Sequence, residues 1–460
     1  MRRRRRKGLS ATFGEEIADK CIPWSSGYDW SYYGFNVPPG THGMQLKTIL
    51  NHVEKHKSFV YASIRFCGKG ADAEIEVNVD PRQNSWPICS GCDCPGPQYD
   101  RLKARRFQFV PLWGIAVYFG YRMRRVDCRR CGVTVEQVPW GDGQCHLTKT
   151  YRWFLAAWAK RLSWQEVAEV FHTSWQSVFR SVRHAVVWGL VNRSWGEVTA
   201  IGVDEIAWQK GHKYLTLVYQ IDEGCKRLLW IGRERTEDSL RSFFRVLTDE
   251  VREGIQFVCS DMWKPYLKVI AEQASNAVHV LDRFHLMVHF NKALDEIRAD
   301  EARQLKRDGY EPVLKHSRWC LLKRPANLTA KQVVKLAELM KYNLRSVRSH
   351  LLREEFQRFW EYASPGWAGR FLDEWCTRTM RSRLEPMKRV AQMLRQHRTL
   401  ILNWFRARGM ISARVVEGFN NKAKLTTKKA YGFRTYEAVE IALYHQLGKL
   451  PEPEFTHRFW

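Results

Sequence analysis

The sequence predicts a multidomain α+β protein. A small cysteine-bearing β module should precede a run of short helices and an α/β domain interrupted by a long helical insertion. Three observations carry this reading. Two Cys-x-x-Cys pairs, Cys89/Cys92 and Cys128/Cys131, bracket strand-like segments. The stretch Ser163-Trp-Gln-Glu166 has the form of a capping box and opens a short helix, which a three-residue turn separates from a second helix. From Ala200 to Leu281 the hydrophobic period alternates between two and 3.6, giving three strands, a helix, a strand, a helix and a strand.

Bulk composition narrows the partners. The 460 residues suffice for two to four domains with proper cores. Lysine and arginine total 75 against 48 acids, a net charge of +27, which points to a polyanion and above all to nucleic acid. No stretch of about 18 apolar residues occurs, so no membrane span is expected. The basic start MRRRRRKG lacks the apolar run of a secretory signal and reads as a disordered arm touching phosphates or as a misplaced start. Twelve cysteines, four of them in Cys-x-x-Cys pairs, suit a reducing cytoplasm better than a disulfide scaffold.

Residues 1–80 carry no assignable role. Gly27–Gly40 reads as a loop or docking segment, Met44–Lys55 as a short helix, and Phe59–Phe66 and Ile75–Val79 as strands of a small sheet. Residues 81–146 form the cysteine module. Two residues between paired cysteines allow the turn that brings both sulfurs to one ion, so Cys89, Cys92, Cys128 and Cys131 are the expected ligands of a structural Zn²⁺. Cys94 could replace Cys92 or stand idle. The spacer contains strand-like Phe107–Val110 and Ile115–Tyr121, which suits a β-hairpin between the knuckles. Arg101–Arg130 holds nine basic residues, Arg124 and Arg125 among them, and one acid, Asp127. That density suggests a module that grips DNA.

Residues 147–195 read as helices. His172-Thr-Ser174 separates the helix begun at Ser163 from a second over Trp175–Val187, a helix-turn-helix. Gln176, Arg180 and Arg183 lie on an accessible side of the second helix, and Gln and Arg are the side chains that read base edges bidentately.

Residues 196–286 begin the α/β domain. Its first strand carries Asp204, and Tyr214–Ile221 and Leu228–Ile231 continue a meander. A helix over Ser239–Val251 leads to the strand Ile255–Ser260, which runs into Asp261; the helix Trp263–Gln273 and the strand Ala277–Leu281 follow, ending at Asp282. This order is that of a ribonuclease-H-like sheet, in which the first and fourth strand ends lie side by side, so Asp204 and Asp261 should meet. Asp282 could join them or cap the next helix; His285 reads as structural. Residues 287–408 lose β character and read as a helical insertion. Within 409–460, a helix puts Val415, Val416, Phe419 and Ala423 on an apolar seam, with Glu417, Asn421, Lys424 and Lys428 roughly opposite.

With these motifs in place, the chain resembles the ISL3 family of bacterial insertion-sequence transposases. The double Cys-x-x-Cys module, the helix-turn-helix, Val203–Glu205, Ser260–Trp263, Leu281–His285 and above all Val416–Ala438 carry the resemblance, which runs from Cys89 to the C-terminus. It implies a DDE triad at Asp204, Asp261 and Glu417. Those carboxylates would hold two Mg²⁺ or Mn²⁺ ions for phosphodiester cleavage and strand transfer, with Lys424 and Lys428 as candidate phosphate contacts. It also implies double-stranded DNA as partner, at the element ends and the target, and a homo-oligomer that brings two ends together. The competing expectations are a DNA-binding regulator with an inactive catalytic domain and a ribonuclease-H-like nuclease without strand transfer.

Overall fold

The computed structural model describes residues 45–209, 211, 213–407, 413–429 and 433–459. The chain divides into two compact units, 1–57 and 58–460. In the first, the helix Leu46–Val53 is described, within the helical pattern expected over Met44–Lys55; the Gly27–Gly40 segment and the basic N-terminus lie outside the described residues.

The second unit opens with a five-stranded sheet of β1 (Phe59–Cys67), β2 (Glu74–Pro81), β3 (Gln98–Leu112), β4 (Ile115–Cys128) and β5 (Gly132–Val135). The order is β1-β2-β4-β3, with β5 on the far end of β4. The two strands expected before residue 81 therefore belong to the same sheet as the cysteine module, through a parallel β2–β4 pairing. Alternation along these strands buries one aromatic set. Trp140 packs edge-on against Phe59, Phe107, Phe119 and Tyr121, with centroids 4.8–6.4 Å apart. The β3–β4 hairpin is the excursion expected between the knuckles.

Three helices follow, Lys149–Ala159, Trp164–Val170 and Trp175–Asn192. The capping box forms in both directions: Ser163 N–H donates to Glu166 Oε2 at 2.7 Å, and Glu166 N–H donates to Ser163 Oγ at 3.2 Å. His172, in the turn, takes a left-handed φ of 47°. These helices are not a free-standing bundle. Their apolar faces share one core with the second sheet and with the helix Tyr436–Leu447, and Gly189 lies so close to Leu450 that a Cβ there would come within 2.7 Å of it.

The second sheet contains β6 (Ala200–Gln209), β7 (Lys213–Ile221), β8 (Lys226–Arg233), β9 (Phe257–Ser260) and β10 (Val278–Leu281), in the order β10-β9-β6-β7-β8. The first three form an antiparallel meander. β9 runs parallel to β6, and β10 parallel to β9. The first and fourth strands are thus neighbours, as the order of elements predicts. One face packs Val203 and Val218 against Phe243, Phe244, Tyr266 and Val269; the other carries the helix-turn-helix and the C-terminal helices. The single helix expected over Ser239–Val251 is instead two, Glu237–Arg245 and Asp249–Glu253. The reason is Thr248, whose side chain accepts from Val251 N–H and starts a new helix.

From Arg283 to Arg406 the chain is helical, opening with the 25-residue helix Arg283–Arg307. Its own core gathers Phe290, Phe356, Phe359 and Trp375. The helix Arg398–Arg406 returns to the sheet, where Asn403 Nδ2 donates to the His279 carbonyl on β10 at 2.8 Å.

Candidate active site and metal centre

Strand register brings the aspartates to one edge. β6 and β9 pair Ala200 with Phe257, Ile201 with Val258 and Gly202 with Cys259; two steps further along lie Asp204 and Asp261. β10 adds Leu281 opposite Ser260, and Asp282 N–H donates to the Ser260 carbonyl at 2.9 Å. Asp261 and Asp282 therefore stand just beyond the ends of β9 and β10, level with Asp204 midway along the longer β6, which runs on to Gln209. Asp204 and Asp282 are buried. Asp204 Oδ1 accepts from the Glu205 N–H at 2.7 Å. Asp282 caps the long helix, accepting from Phe284 N–H at 2.8 Å.

Three charged neighbours of this edge have no chemical role assigned from the sequence, where His285 reads as structural. Arg235, in the turn after β8, lays Nη2 3.0 Å from Asp261 Oδ2 and Nε 2.5 Å from Glu205 Oε2, with its guanidinium over the Trp263 ring. The Glu205 contact is an ion pair by distance, although the N–H is not aligned on the oxygen. Asp261 Oδ1 accepts from Trp263 N–H at 3.0 Å, so both of its oxygens are oriented. Burial raises the Glu205 carboxyl to about 7, against the opposing charge of Arg235. His285 Nε2 lies 3.8 Å from Asp204 and 3.9 Å from Asp282. Contact with Asp204 is the main reason its imidazole rises to about 9 despite burial. The LDRFH string displayed His285 three residues from Asp282; no spacing rule links Arg235 to Asp261.

The helix Ala413–Lys429 lies across β6 and β7. Phe419 stacks on Tyr219 at 4.6 Å, and Ala423 is fully buried, as the expected seam requires. Asn421, Lys424 and Lys428 are exposed. The side chains of Val415, Val416 and Glu417 lie outside the described residues.

A second centre is already assembled. The sulfurs of Cys89, Cys92, Cys128 and Cys131 lie within 4.8 Å of one another, the only group of three or more potential ligands this tight among the described residues. A tetrahedron of zinc–sulfur bonds about 2.3 Å long needs sulfurs about 3.8 Å apart, and Cys92 and Cys128 are at 3.5 Å. Gly91 makes the knuckle possible, since a Cβ there would meet Cys131 Sγ at 3.0 Å. The Thr134 hydroxyl, 3.2 Å from Cys89 Sγ, is the main reason that thiol falls to about 6; hydrogen bonding with Cys92 leads the causes that push Cys131 up to about 12. Such a thiol set is suited to a cation that replaces its protons. Cys94 stays outside the cluster and contributes its carbonyl, which accepts from Cys89 N–H at 2.9 Å.

The DNA-contact candidates divide. Gln176, Arg180 and Arg183 are exposed on the second helix of the helix-turn-helix, Arg183 pairing with Glu437 at 2.6 Å. Arg125 is part-exposed and paired with Asp100. Arg124 must be corrected. It is 3 % exposed, with Nε 2.9 Å and Nη2 2.8 Å from the buried Glu136. β3 bulges where Arg101 pairs with Arg124 and Ala104 with Arg122, and the buried phase of β4 changes there from odd to even positions, turning Arg124 inward.

Comparison with known proteins fixes the class. A family model described as "Transposase" matches residues 201–443, from β6 to the last long helix, so the class is that of transposases. The chain belongs to the ISL3 family of DDE insertion-sequence transposases. It is 29% identical over 353 residues to the transposase for insertion sequence element IS1001 of Bordetella parapertussis, covering 76% of this chain and 86% of that one. It is also 29% identical over 404 residues to the transposase for insertion sequence element IS1557 of Mycobacterium tuberculosis, covering 81% and 88%. No described helix is long and apolar enough to cross a membrane.

Proposed function

We propose that this transposase binds the terminal inverted repeats of its element and cleaves and joins DNA strands in a ribonuclease-H-like domain built on β6–β10, and that it acts as a homo-oligomer holding two ends. The observation that carries the proposal is the β6–β9 register, which draws Asp204 and Asp261 together beneath a helix bearing Glu417. Asp204, Asp261 and Glu417 would hold two Mg²⁺ or Mn²⁺ ions, for which their hard oxygens are fitting donors. Bound there, the ions would supply an activated nucleophile and a stabilised leaving oxygen. The chain's own groups do the rest. Arg235 and the Trp263 N–H orient Asp261. Lys424 and Lys428, exposed on the same helix as Glu417, would receive phosphates. Zinc in the four-cysteine cluster would lock the β3–β4–β5 end of a basic sheet, and the helix-turn-helix would read the repeats. In an assay on duplexes carrying the element ends, Asp204→Asn, Asp261→Asn and Glu417→Gln should each abolish Mg²⁺-dependent cleavage while keeping end binding, and Asp282→Asn should cleave. A dead Asp282→Asn beside an active Glu417→Gln would replace the third ligand.

A further inference from the structure

The exposed basic stripe on the second helix of the helix-turn-helix forms one side of an open notch. Arg180, Arg183 and Val187 follow Gln176 at helical spacing, and these three line a cavity of about 580 Å³ whose opposite wall is the segment 144–147. Arg152 and His184 complete the basic lining, and no acid lines it. Two of the arginines have anchors, Arg152 on Asp142 at 3.2 Å and Arg183 on Glu437 at 2.6 Å. Arg180 makes no hydrogen bond or ion pair among the described residues.

The wall opposite is fixed from the other module. Arg105 on β3 donates from Nη1 to the Gly143 carbonyl and from Nη2 to the Cys145 carbonyl, both at 2.8 Å. Gln108 N–H donates to the His146 carbonyl at 2.7 Å, and Thr148 N–H to the Gln108 carbonyl at 2.9 Å. One side of the notch thus belongs to the helix-turn-helix, and the other is tied to the sheet that carries the cysteine cluster. His184 stacks edge-on against Trp153. Burial is the main cause of its depressed imidazole, and the Arg152 charge adds to it, as expected where the local potential is positive.

We propose that this notch seats a backbone phosphate of the bound DNA, with Arg180 as its principal contact, so that both modules grip one phosphodiester and base reading falls to Gln176 outside the notch. The proposal rests on the DNA-binding reading above and reassigns Arg180 and Arg183 from base edges to the backbone. Walled arginines suit a phosphate, which accepts from any approach and carries no sequence information; a base edge needs a side chain free to enter the groove.

The test is fluorescence anisotropy of the full chain with an element-end duplex and a random duplex, from 50 to 200 mM salt. Arg180→Gln should weaken both by the same factor and reduce the slope of log K against log salt by about 0.9, the loss of one phosphate contact. Val187→Glu, a change at an exposed position, should weaken both in the same way by placing a carboxylate in the notch. Thermal unfolding of each variant should match the parent. Gln176→Ala should lose affinity for the element end alone. A loss confined to the element end in Arg180→Gln returns that residue to base reading and overturns the proposal, as does unchanged binding in both notch variants while Gln176→Ala still loses its preference. If the parent chain binds neither duplex, the DNA-binding reading itself has failed.

Discussion

Replacing Arg124 by alanine should destabilise the basic sheet rather than loosen its hold on DNA. The side chain is enclosed: Nε and Nη2 contact Glu136 Oε2 at 2.9 and 2.8 Å, and Nη1 donates to the Ser85 carbonyl at 2.9 Å. Alanine leaves a buried carboxylate without its counter-charge, a change that typically costs about 3–5 kcal/mol. Glu136 would keep two donors, the Tyr121 hydroxyl and the Arg124 N–H, both at 2.6 Å. These retain part of its stabilisation, so the lower end, about 3 kcal/mol, is expected. At about 2.1 cal/mol/K per residue the unit 58–460 shifts by roughly 1 °C per kcal/mol, so its transition should fall by about 3–4 °C. The assay is thermal unfolding followed by tryptophan fluorescence, since Trp140 reports on this core. Arg124→Met with Glu136→Gln should recover at least half of the loss, because the pair is then replaced by groups needing no counter-charge while Gln still accepts from Tyr121. An unchanged melting curve in Arg124→Ala, with DNA affinity reduced and the salt slope smaller by about one, would refute this reasoning and return Arg124 to the DNA surface.

Three further outcomes follow from the geometry. The purified protein should hold one zinc, lost with Cys128→Ser plus Cys131→Ser and on strong chelation; full zinc in the double variant, by elemental analysis, would exclude the four-sulfur site. Phe419→Ala removes the ring stacked on Tyr219 and should cost about 3–5 kcal/mol, seen as early proteolysis within 413–429; a parent-like digestion pattern would mean the helix does not depend on this seam. Arg235→Gln frees one oxygen of Asp261 and removes a positive charge, so Mn²⁺-induced thermal stabilisation should reach half-saturation at lower metal while cleavage slows; unchanged metal dependence would leave Arg235 a purely structural role.

The α/β architecture was legible because its signals are local. Apolar alternation named the strands around Asp204 and Asp261, and the order of strands and helices was enough to make the two ends neighbours. The paired cysteines were legible because two residues between thiols is itself a geometric statement. What escaped depended on long-range pairing or on a local phase change. β1 and β2 join the cysteine-bearing sheet through a parallel pairing that no periodicity encodes. Arg124 falls where the buried positions of β4 change from odd to even, beside a bulge in β3, and the residue pattern signals neither. Arg235 reaches Asp261 from a turn 26 residues earlier. The break at Thr248 escapes because a threonine can cap a helix or sit within one, and the apolar period runs straight through it. The sequence puts Arg180 and Arg183 on an accessible side of the second helix but is silent on the 144–147 wall, which the other module brings beside them.

A divalent metal held between Asp204 on β6 and Asp261 just beyond β9 would be revealed by affinity cleavage with iron. With Fe²⁺ in place of Mg²⁺, ascorbate and peroxide generate radicals that cut the polypeptide beside the bound ion, and mass spectrometry locates the breaks. Cuts should fall close to Asp204 and Asp261, with a third near Glu417, all suppressed by excess Mg²⁺ and weakened in Asp204→Asn and Asp261→Asn. Cuts confined to other parts of the chain, under conditions where the protein cleaves element-end DNA, would contradict it.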